Sequence, residues 1–375
     1  MKIAVVGGGP AGLYFAYLWK RKHPSAKISL FEQNEAGATF GFGVVFSERA
    51  LDFLRADDPE TADAITPHME NWRDMTLVYR GERVTIDGVG FSAIGRLELL
   101  KLLQARVASV GIAPIYEKRI ESTADVASFD LVVAADGANS FLRTAYLEKF
   151  GCKIDLFRNK FIWFGTTKPF DTLTQTFVEC EYGTLNAHHY RYAPDKSTFI
   201  VECDSETFMR AGFENLSSQE ITVRCEQIFS ETLSGHALIS NKSIWRDFPW
   251  IWNERWSHGN IVLVGDALRT AHFSIGSGTR LALEDAIALV KALDVETDIQ
   301  TALSRYEHER RPIVEKIVNA SKTSAAWYEK FPEHMKLAPL DFAMSYITRS
   351  GRIDDARLRE MSPRFMARYE AERRR

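Results

Sequence analysis

Six consecutive residues, Gly7-Gly8-Gly9-Pro10-Ala11-Gly12, restrict what this chain can fold into more than any other stretch. They follow the apolar run Ile3-Ala4-Val5-Val6 and lead into a helical pattern reaching Lys22, so the turn joins a buried strand to a helix. Gly7, Gly9 and Gly12 supply the spacing GxGxxG, completed by Pro10 and Ala11. In such a unit the first glycine permits the tight turn, the second lets a pyrophosphate approach the backbone, and the third allows close helix-strand packing. The next strand, Lys27-Ile28-Ser29-Leu30-Phe31-Glu32, ends on a carboxylate twenty residues past Gly12, placed to accept hydrogen bonds from an adenosine ribose. An acid there suits FAD or NAD and repels the 2'-phosphate of NADPH.

The length of 375 residues accommodates about two domains. With 45% hydrophobic and 26% charged residues and no long apolar run, a soluble globular protein is expected, with no membrane partner. The opening Met1 to Val6 is too short an apolar core for a signal peptide and breaks at glycines. Cys152, Cys180, Cys203 and Cys225 are scattered without metal-ligand spacing, so neither a metal site nor a disulfide framework is expected, and a reducing cytoplasm is the expected location. A formal net charge of -3 gives no reason to expect nucleic acid. The stretch from Arg349 to Arg375 is locally basic, nine arginines against five acids, and reads as a solvated helix face or frayed end.

Along the chain, Arg96 to Val110 is predicted helical, with Leu97, Leu99, Leu100, Leu102 and Leu103 crowding an apolar face, and Phe129 to Ala135 reads as a buried strand. From about Asn159 to Cys203, alternating aromatic-rich stretches predict an antiparallel sheet inserted between two parts of an α/β domain. Helical patterns follow from Leu281 to Leu293 and from Thr301 through Tyr328, the latter interrupted by Pro312.

Two further motifs discriminate between cofactors. Asp130 to Arg143 fits DxVVxADGxxSxxR, and Gly265-Asp266 follows the apolar run Ile261 to Val264. With the first motif and Arg96 before its leucine-rich helix, the chain resembles the single-component flavoprotein aromatic hydroxylases of the para-hydroxybenzoate hydroxylase class. That resemblance implies an α/β fold: a Rossmann-like FAD-binding domain (1-157, with a substrate-side excursion near 66-92, and 258-330), a β-sheet substrate domain (158-257) and a C-terminal helical tail (331-375). It implies FAD held by Gly7, Gly9, Pro10, Ala11, Gly12, Glu32, Val44, Arg96, Asp136, Gly265, Asp266, Gly276, Gly278 and Thr279. Asp266 would take the ribityl chain and Arg96 the pyrophosphate or ribityl region, while Asp136 belongs to a motif associated with flavin and reduced nicotinamide. A helix from near Thr279 would direct its partial positive end at the flavin. The chain departs from the family where Arg269 lies near the place of a histidine and Phe273 replaces a proline.

Within that class, Gly265-Asp266-Ala267-Leu268, His272-Phe273-Ser274-Ile275-Gly276, Arg158 to Thr166, Ala187-His188 and Thr198 to Cys203 are similar to the aryl-CoA and violacein-pathway branch. Leu337 to Ser345 and Thr348 to Ile353 resemble its aryl-CoA members. The resemblance implies NADH or NADPH as transient reductant, O2 as co-substrate, and an aryl-CoA thioester as substrate, salicyloyl-CoA hydroxylated to gentisyl-CoA first among them. A free aromatic or indole substrate, or a flavin oxidoreductase that does not hydroxylate, is the alternative; Trp250-Ile251-Trp252-Asn253 only grazes a halogenase signature. His188 is the first candidate for the substrate hydroxyl and His272 the second. Val45, Trp163, Phe164 and Phe273 would wall the ring, and Arg349 and Arg352 would meet CoA phosphates. A monomer or homodimer is expected.

Overall fold

The computed structural model describes residues 1–47 and 51–374. Lys2–Val6 is buried on four of its five residues, and Pro10–Lys22 and Lys27–Phe31 follow it as the expected strand-helix-strand unit. Leu131–Ala134 pairs parallel on the other side of Lys2–Val6, and Ile261–Leu263 pairs parallel with Leu131–Ala134. Among the described residues this sheet has five strands, closed at one edge by the antiparallel Ser257–His258. Its strand ends therefore present the three motif turns side by side, the arrangement in which open α/β sheets bind nucleotides. Helices Pro10–Lys22, Arg96–Ser109 and Gly278–Val295 cover it and share one continuous core.

A second, larger sheet runs Leu238–Ile239, Cys152–Thr166, Lys196–Cys203, Gly183–Ala193, Leu173–Cys180, Met75–Tyr79, Glu82–Ile86, with Arg246–Asn253 also paired to Cys152–Thr166. It is antiparallel except where Leu173–Cys180 meets Met75–Tyr79 in parallel, so the sheet recruits a hairpin from before the inserted segment. One face packs on Ser218–Ile228 through Ile162, Phe164, Leu185, Phe199 and Cys225. The other face looks toward the strand ends of the first sheet. A small three-stranded sheet carrying Gly43–Ser47 lies between them and is fastened to that face: Thr198 Oγ1 accepts from the Gly43 amide at 2.8 Å, and Tyr190 donates its hydroxyl to the Gly43 carbonyl at 2.9 Å.

Two expectations change. The helix Ile299–Tyr328 runs unbroken through Pro312. Pro312 and His308 are both exposed, so the carbonyl that loses its partner faces water and the helix persists. The basic C-terminal stretch is docked rather than frayed: Leu358, Phe365 and Met366 are buried against Met75, Ile86 and Phe342, and Asp87 accepts from the amides of Arg364 (3.2 Å) and Phe365 (2.8 Å). Most of its arginines stay in solvent while its apolar stripe is covered. No helix among the described residues is long and apolar enough to cross a membrane. Replacing Pro312 by Ala restores the missing helical hydrogen bond without steric conflict, so Pro312→Ala is expected to raise stability by about 1–3 kcal/mol. A urea midpoint for the flavin-loaded protein that stays put or falls would refute this.

Candidate active site

The three glycines of the first motif play different parts. Gly7 sits at φ +110°, where a Cβ would lie 2.2 Å from the Ala135 oxygen, and a Cβ on Gly12 would lie 2.1 Å from the Gly7 oxygen. Both are required by the protein's own packing. A Cβ on Gly9 would meet nothing within 4 Å, and the helix that starts at Pro10 has no side-chain cap, so its first amides are bare toward the cleft. Glu32 accepts from the Gly8 amide at 2.7 Å and from Asn34 N and Nδ2 at 2.8 and 2.7 Å, which fixes the carboxylate at the mouth of this turn. Gly8, an unspecified position of the motif, is also needed, because a Cβ there would approach Glu32 Oε2 to 3.0 Å.

The second motif is tied to the third. Asp136 Oδ2 accepts the Phe141 amide at 2.8 Å, while its buried Oδ1 has no partner; burial raises its pKa against the hydrogen bonds it receives. Arg143, buried, donates to the Ala267 carbonyl at 3.0 Å. Asp266 lies open to solvent between these turns. Crowding by the surrounding protein raises its pKa, opposed by Arg269, Arg96 and Arg143. Arg96 faces the same space with no side-chain hydrogen bond or ion pair among the described residues; its guanidinium lies 6.0 Å from the Trp163 ring.

Arg269, at the family departure, has a specific partner. It is buried and paired to Asp285 at 2.6 Å, while its Nη1 donates to the Gly265 carbonyl at 2.6 Å. Asp285 also accepts the Gly265 amide at 3.0 Å and faces Arg310 Nε at 3.2 Å; Arg310 continues to Glu284 at 2.5 Å. Both backbone groups of Gly265, held at φ +60°, are thereby fixed, and Asp266 projects from a rigid turn. Further on, Gly276 at φ +59° is required because a Cβ would come 3.0 Å from Val45 Cγ1, so loop and strand touch there. A Cβ on Gly278 would meet nothing. The helix Gly278–Val295, with Thr279 as its second residue, also lacks a side-chain cap and offers its first amides to a ligand. Bare amides, an open aspartate, an unpaired arginine and a fixed ribose-side carboxylate together fit FAD.

Strand alternation decides which aromatic side chains face the cleft. On Cys152–Thr166, Phe161 and Trp163 face the cleft and Ile162 and Phe164 face the opposite core. Phe164 is therefore a core residue behind the sheet, a correction to its expected place in the pocket wall. Trp163 packs against Gly41, Val44 and Val45 lie half-buried on Gly43–Ser47, and Phe273 meets Phe161 at 5.0 Å, Phe248 at 5.8 Å and His188 at 5.3 Å between ring centroids. Phe157, Phe161 and Phe248 complete an aromatic cluster around His272, with centroids 5.4 Å (Phe157) and 4.9 Å (Phe248) from it.

The two histidines differ in how their ring nitrogens are engaged. His188 is buried: its Nδ1 lies 3.0 Å from Gln175 Nε2, while its Nε2 is sealed without a hydrogen bond, 3.4 Å from Glu202. Tyr328 donates to Gln175 Oε1 at 3.2 Å, which turns the Gln175 amide nitrogen toward Nδ1 and leaves the His188 proton on Nε2. His272 accepts the Ser274 amide at Nδ1 (3.3 Å), while its Nε2 makes no hydrogen bond among the described residues and is not sealed from solvent. Burial pulls its pKa down to about 4, partly offset by Glu202, so the neutral ring presents Nε2–H to the pocket. Arg349 also moves from its expected place: it turns inward, donating to Ser274 O at 2.8 Å and Tyr346 O at 2.7 Å. Arg352 is exposed, with Arg280 and Arg357 near enough that, after burial, they disfavour its charge. Gln175, Glu202, Tyr328 and Phe248 were not anticipated, because they converge from separate strands and a helix without a local motif.

A family profile described as "FAD binding domain" matches residues 106–321. The chain is 40% identical over 361 residues to salicyloyl-CoA 5-hydroxylase of a Streptomyces species, covering 93% of this chain and 70% of that protein. It is 37% identical over 333 residues to 3-hydroxy-4-methyl-anthranilyl-[aryl-carrier protein] 5-monooxygenase of Streptosporangium sibiricum (89% and 90% covered). With protodeoxyviolaceinate monooxygenase of Chromobacterium violaceum it shares 35% over 375 residues (97% and 96%). Among solved structures, a mutant of 2-methyl-3-hydroxypyridine-5-carboxylic acid oxygenase superposes with a TM-score of 0.71 at 16% identity over 98% of both chains, which supports the fold alone.

Two outcomes test the cradle. Gly9→Val is expected to fold with near-wild-type stability yet lose FAD, whereas Gly7→Val destabilises the protein itself; equal flavin absorbance in purified Gly9→Val and wild type would contradict the assignment. Asp285→Ala strands the buried Arg269 guanidinium, leaving Arg310 only Glu284, and is expected to cost about 3–5 kcal/mol, read from urea unfolding.

Proposed function

This chain belongs to the FAD-dependent aromatic monooxygenases, and we propose that the ring it hydroxylates is carried on a thioester, salicyloyl-CoA being the first candidate. Two of the similar proteins are named for substrates with such a handle, one on CoA and one on an aryl-carrier protein. The observation that carries the reading here is the aromatic pocket of Phe157, Phe161, Phe248 and Phe273 with a single open imidazole nitrogen, that of His272. It suits a flat ring bearing one polar substituent. Exposed Arg352, beside Arg280 and Arg357, offers cations to the phosphates of a handle leaving the pocket.

FAD would be held by the bare amides after Gly9 and at Gly278, by Glu32 on the ribose, and by Asp266 and Arg96 along the ribityl and phosphate path. When bound, and reduced by NADH or NADPH, it supplies the activation of O2 that the protein's own side chains cannot. The chain's part is to hold the ring, exclude water through the phenylalanine walls, and donate the His272 Nε2–H to the ring's hydroxyl oxygen, which favours its electron-rich ionised form. His188, locked by Gln175 and Glu202, is a wall that fixes Phe273 and stacks on Tyr328 at 5.0 Å.

His272→Ala is expected to uncouple the enzyme, NADH oxidation continuing while hydroxylated product falls at least tenfold relative to hydrogen peroxide. Unchanged coupling would remove His272 from the site. The thioester reading rests on kcat/KM: salicyloyl-CoA should exceed free salicylate by at least a hundredfold, and Arg352→Ala should narrow that gap more at low than at high salt. A free acid or an indole hydroxylated equally well would overturn it.

A further inference from the structure

Arg349 is a cation without an anion. It stands just after the helix Pro339–Thr348, half-buried, with its guanidinium carbon 3.8 Å from the Tyr346 ring centroid and 5.6 Å from that of Tyr328. Its two terminal nitrogens donate to neutral carbonyls, Tyr346 O and Ser274 O, and its Nε is buried with no partner. No carboxylate lies within ion-pair distance of it among the described residues, in a protein where the more deeply buried Arg269 and Arg310 both hold Asp285. Glu202, the acid of this cluster, is engaged instead by Asn159 at 2.8 Å and by His188 at 3.4 Å. Keeping a guanidinium half-buried on carbonyls and ring faces alone forgoes the compensation that buried charges normally receive.

Its position indicates what compensates it. The carbonyl it holds, Ser274 O, belongs to the turn that carries His272 and Phe273, and Tyr328 joins it to His188 through stacking. We propose that Arg349 supplies the positive charge that selects an ionised ring hydroxyl in the pocket, acting as a specificity-determining residue behind the His272 donor. The O–H bond breaks with its electron pair left on oxygen, and the proton passes to solvent water as the ligand binds. The ionisable and charged groups around that oxygen are His272 on the turn, His188 and Glu202 on the large sheet, Tyr328 on the long helix, and Tyr346 with Arg349 on the last docked helices. Among the described residues Arg349 is the only cation in that set; it opposes protonation of both imidazoles, and the same field favours an anion beside them. A neutral ring, or one whose hydroxyl is methylated, gains nothing from it. The inference rests on the aromatic pocket being the ring site, not on the thioester handle.

The test uses the FAD-loaded protein without reductant and 4-nitrophenol, whose anion is read directly by its visible absorbance. Wild type should ionise the bound phenol with a constant at least tenfold above that in water, and Arg349→Gln should lower it at least fivefold, leaving only what His272 contributes. Arg349→Lys, which keeps the charge but cannot span both carbonyls, should stay within threefold of wild type. Loss in Arg349→Lys as complete as in Arg349→Gln would assign the effect to loop geometry and overturn the proposal. A midpoint potential of FAD that falls in Arg349→Gln, with phenol ionisation unchanged, would assign the charge to the reduced flavin and overturn it equally. Should salicyloyl-CoA fail as substrate while 4-nitrophenol behaves as stated, the thioester reading falls and this one stands.

Discussion

The buried Asp285 carboxylate is the constraint on which the cofactor side of the molecule depends. It accepts the Gly265 amide and pairs with Arg269, which in turn holds the Gly265 carbonyl, so one side chain fixes both polar groups of a residue in the left-handed region. A buried ion pair is weak evidence for stability as such, since desolvation roughly cancels attraction. Its value here is geometric. The turn at Gly265 carries Asp266 outward into the cleft, Arg143 ties the same loop to the second motif through Ala267, and Arg310 and Glu284 extend the network to the two helices that follow. Loosening Asp285 would release Asp266 from its place opposite Arg96 before it unfolded anything.

How far the sequence disclosed this depended on whether a feature was local. The first strand-turn-helix, the strand before Asp136 and the helix after the glycine loop were legible because each is one apolar period bounded by a glycine turn. Residue Arg269 was visible as a departure but not as a solution, because its partner lies sixteen positions away on a helix whose acids look like ordinary surface charge. Phe164 was misplaced for a simpler reason: adjacent residues of a strand cannot both face one pocket, and Trp163 already faced it. The docking of the C-terminal stretch was not legible because Leu358 lies on the helix Asp355–Met361 and Phe365 and Met366 on Pro363–Arg373, so no single helical period joins them among the dense arginines.

The glycines separate protein requirements from ligand requirements. At Gly7, Gly12 and Gly276 an added methyl would strike the protein, so their presence says only that the backbone passes close to itself. At Gly9 and Gly278 it would strike nothing, and the chain forgoes a side chain there although a β-carbon would cost the fold no collision. Those two positions head the two uncapped helices that meet at the cleft. A motif read as one pattern thus resolves into two kinds of constraint, and only the second kind speaks of a cofactor.

The ring side of the site depends on strand register in the same way that the cofactor side depends on Asp285. Gly183–Ala193 carries two neighbouring histidines, and the pairing Gln175↔His188 and Ala187↔Val201 sends His188 to the cleft while His189 stacks on Phe199 in the opposite core, its Nε2 2.8 Å from Thr176 Oγ1. A slip of that strand by one residue would exchange them and put His188 behind the sheet with Phe164 and Phe199. The register is held from outside the strand, by Tyr190 and Thr198 gripping Gly43 and by Asn159 linking Glu202 to the Tyr328 carbonyl at 2.9 Å. These contacts join the sheet to the small strand layer on one side and to the long helix on the other. The pocket therefore forms only when all three have docked, which is why its chemistry is written in contacts and not in any contiguous motif.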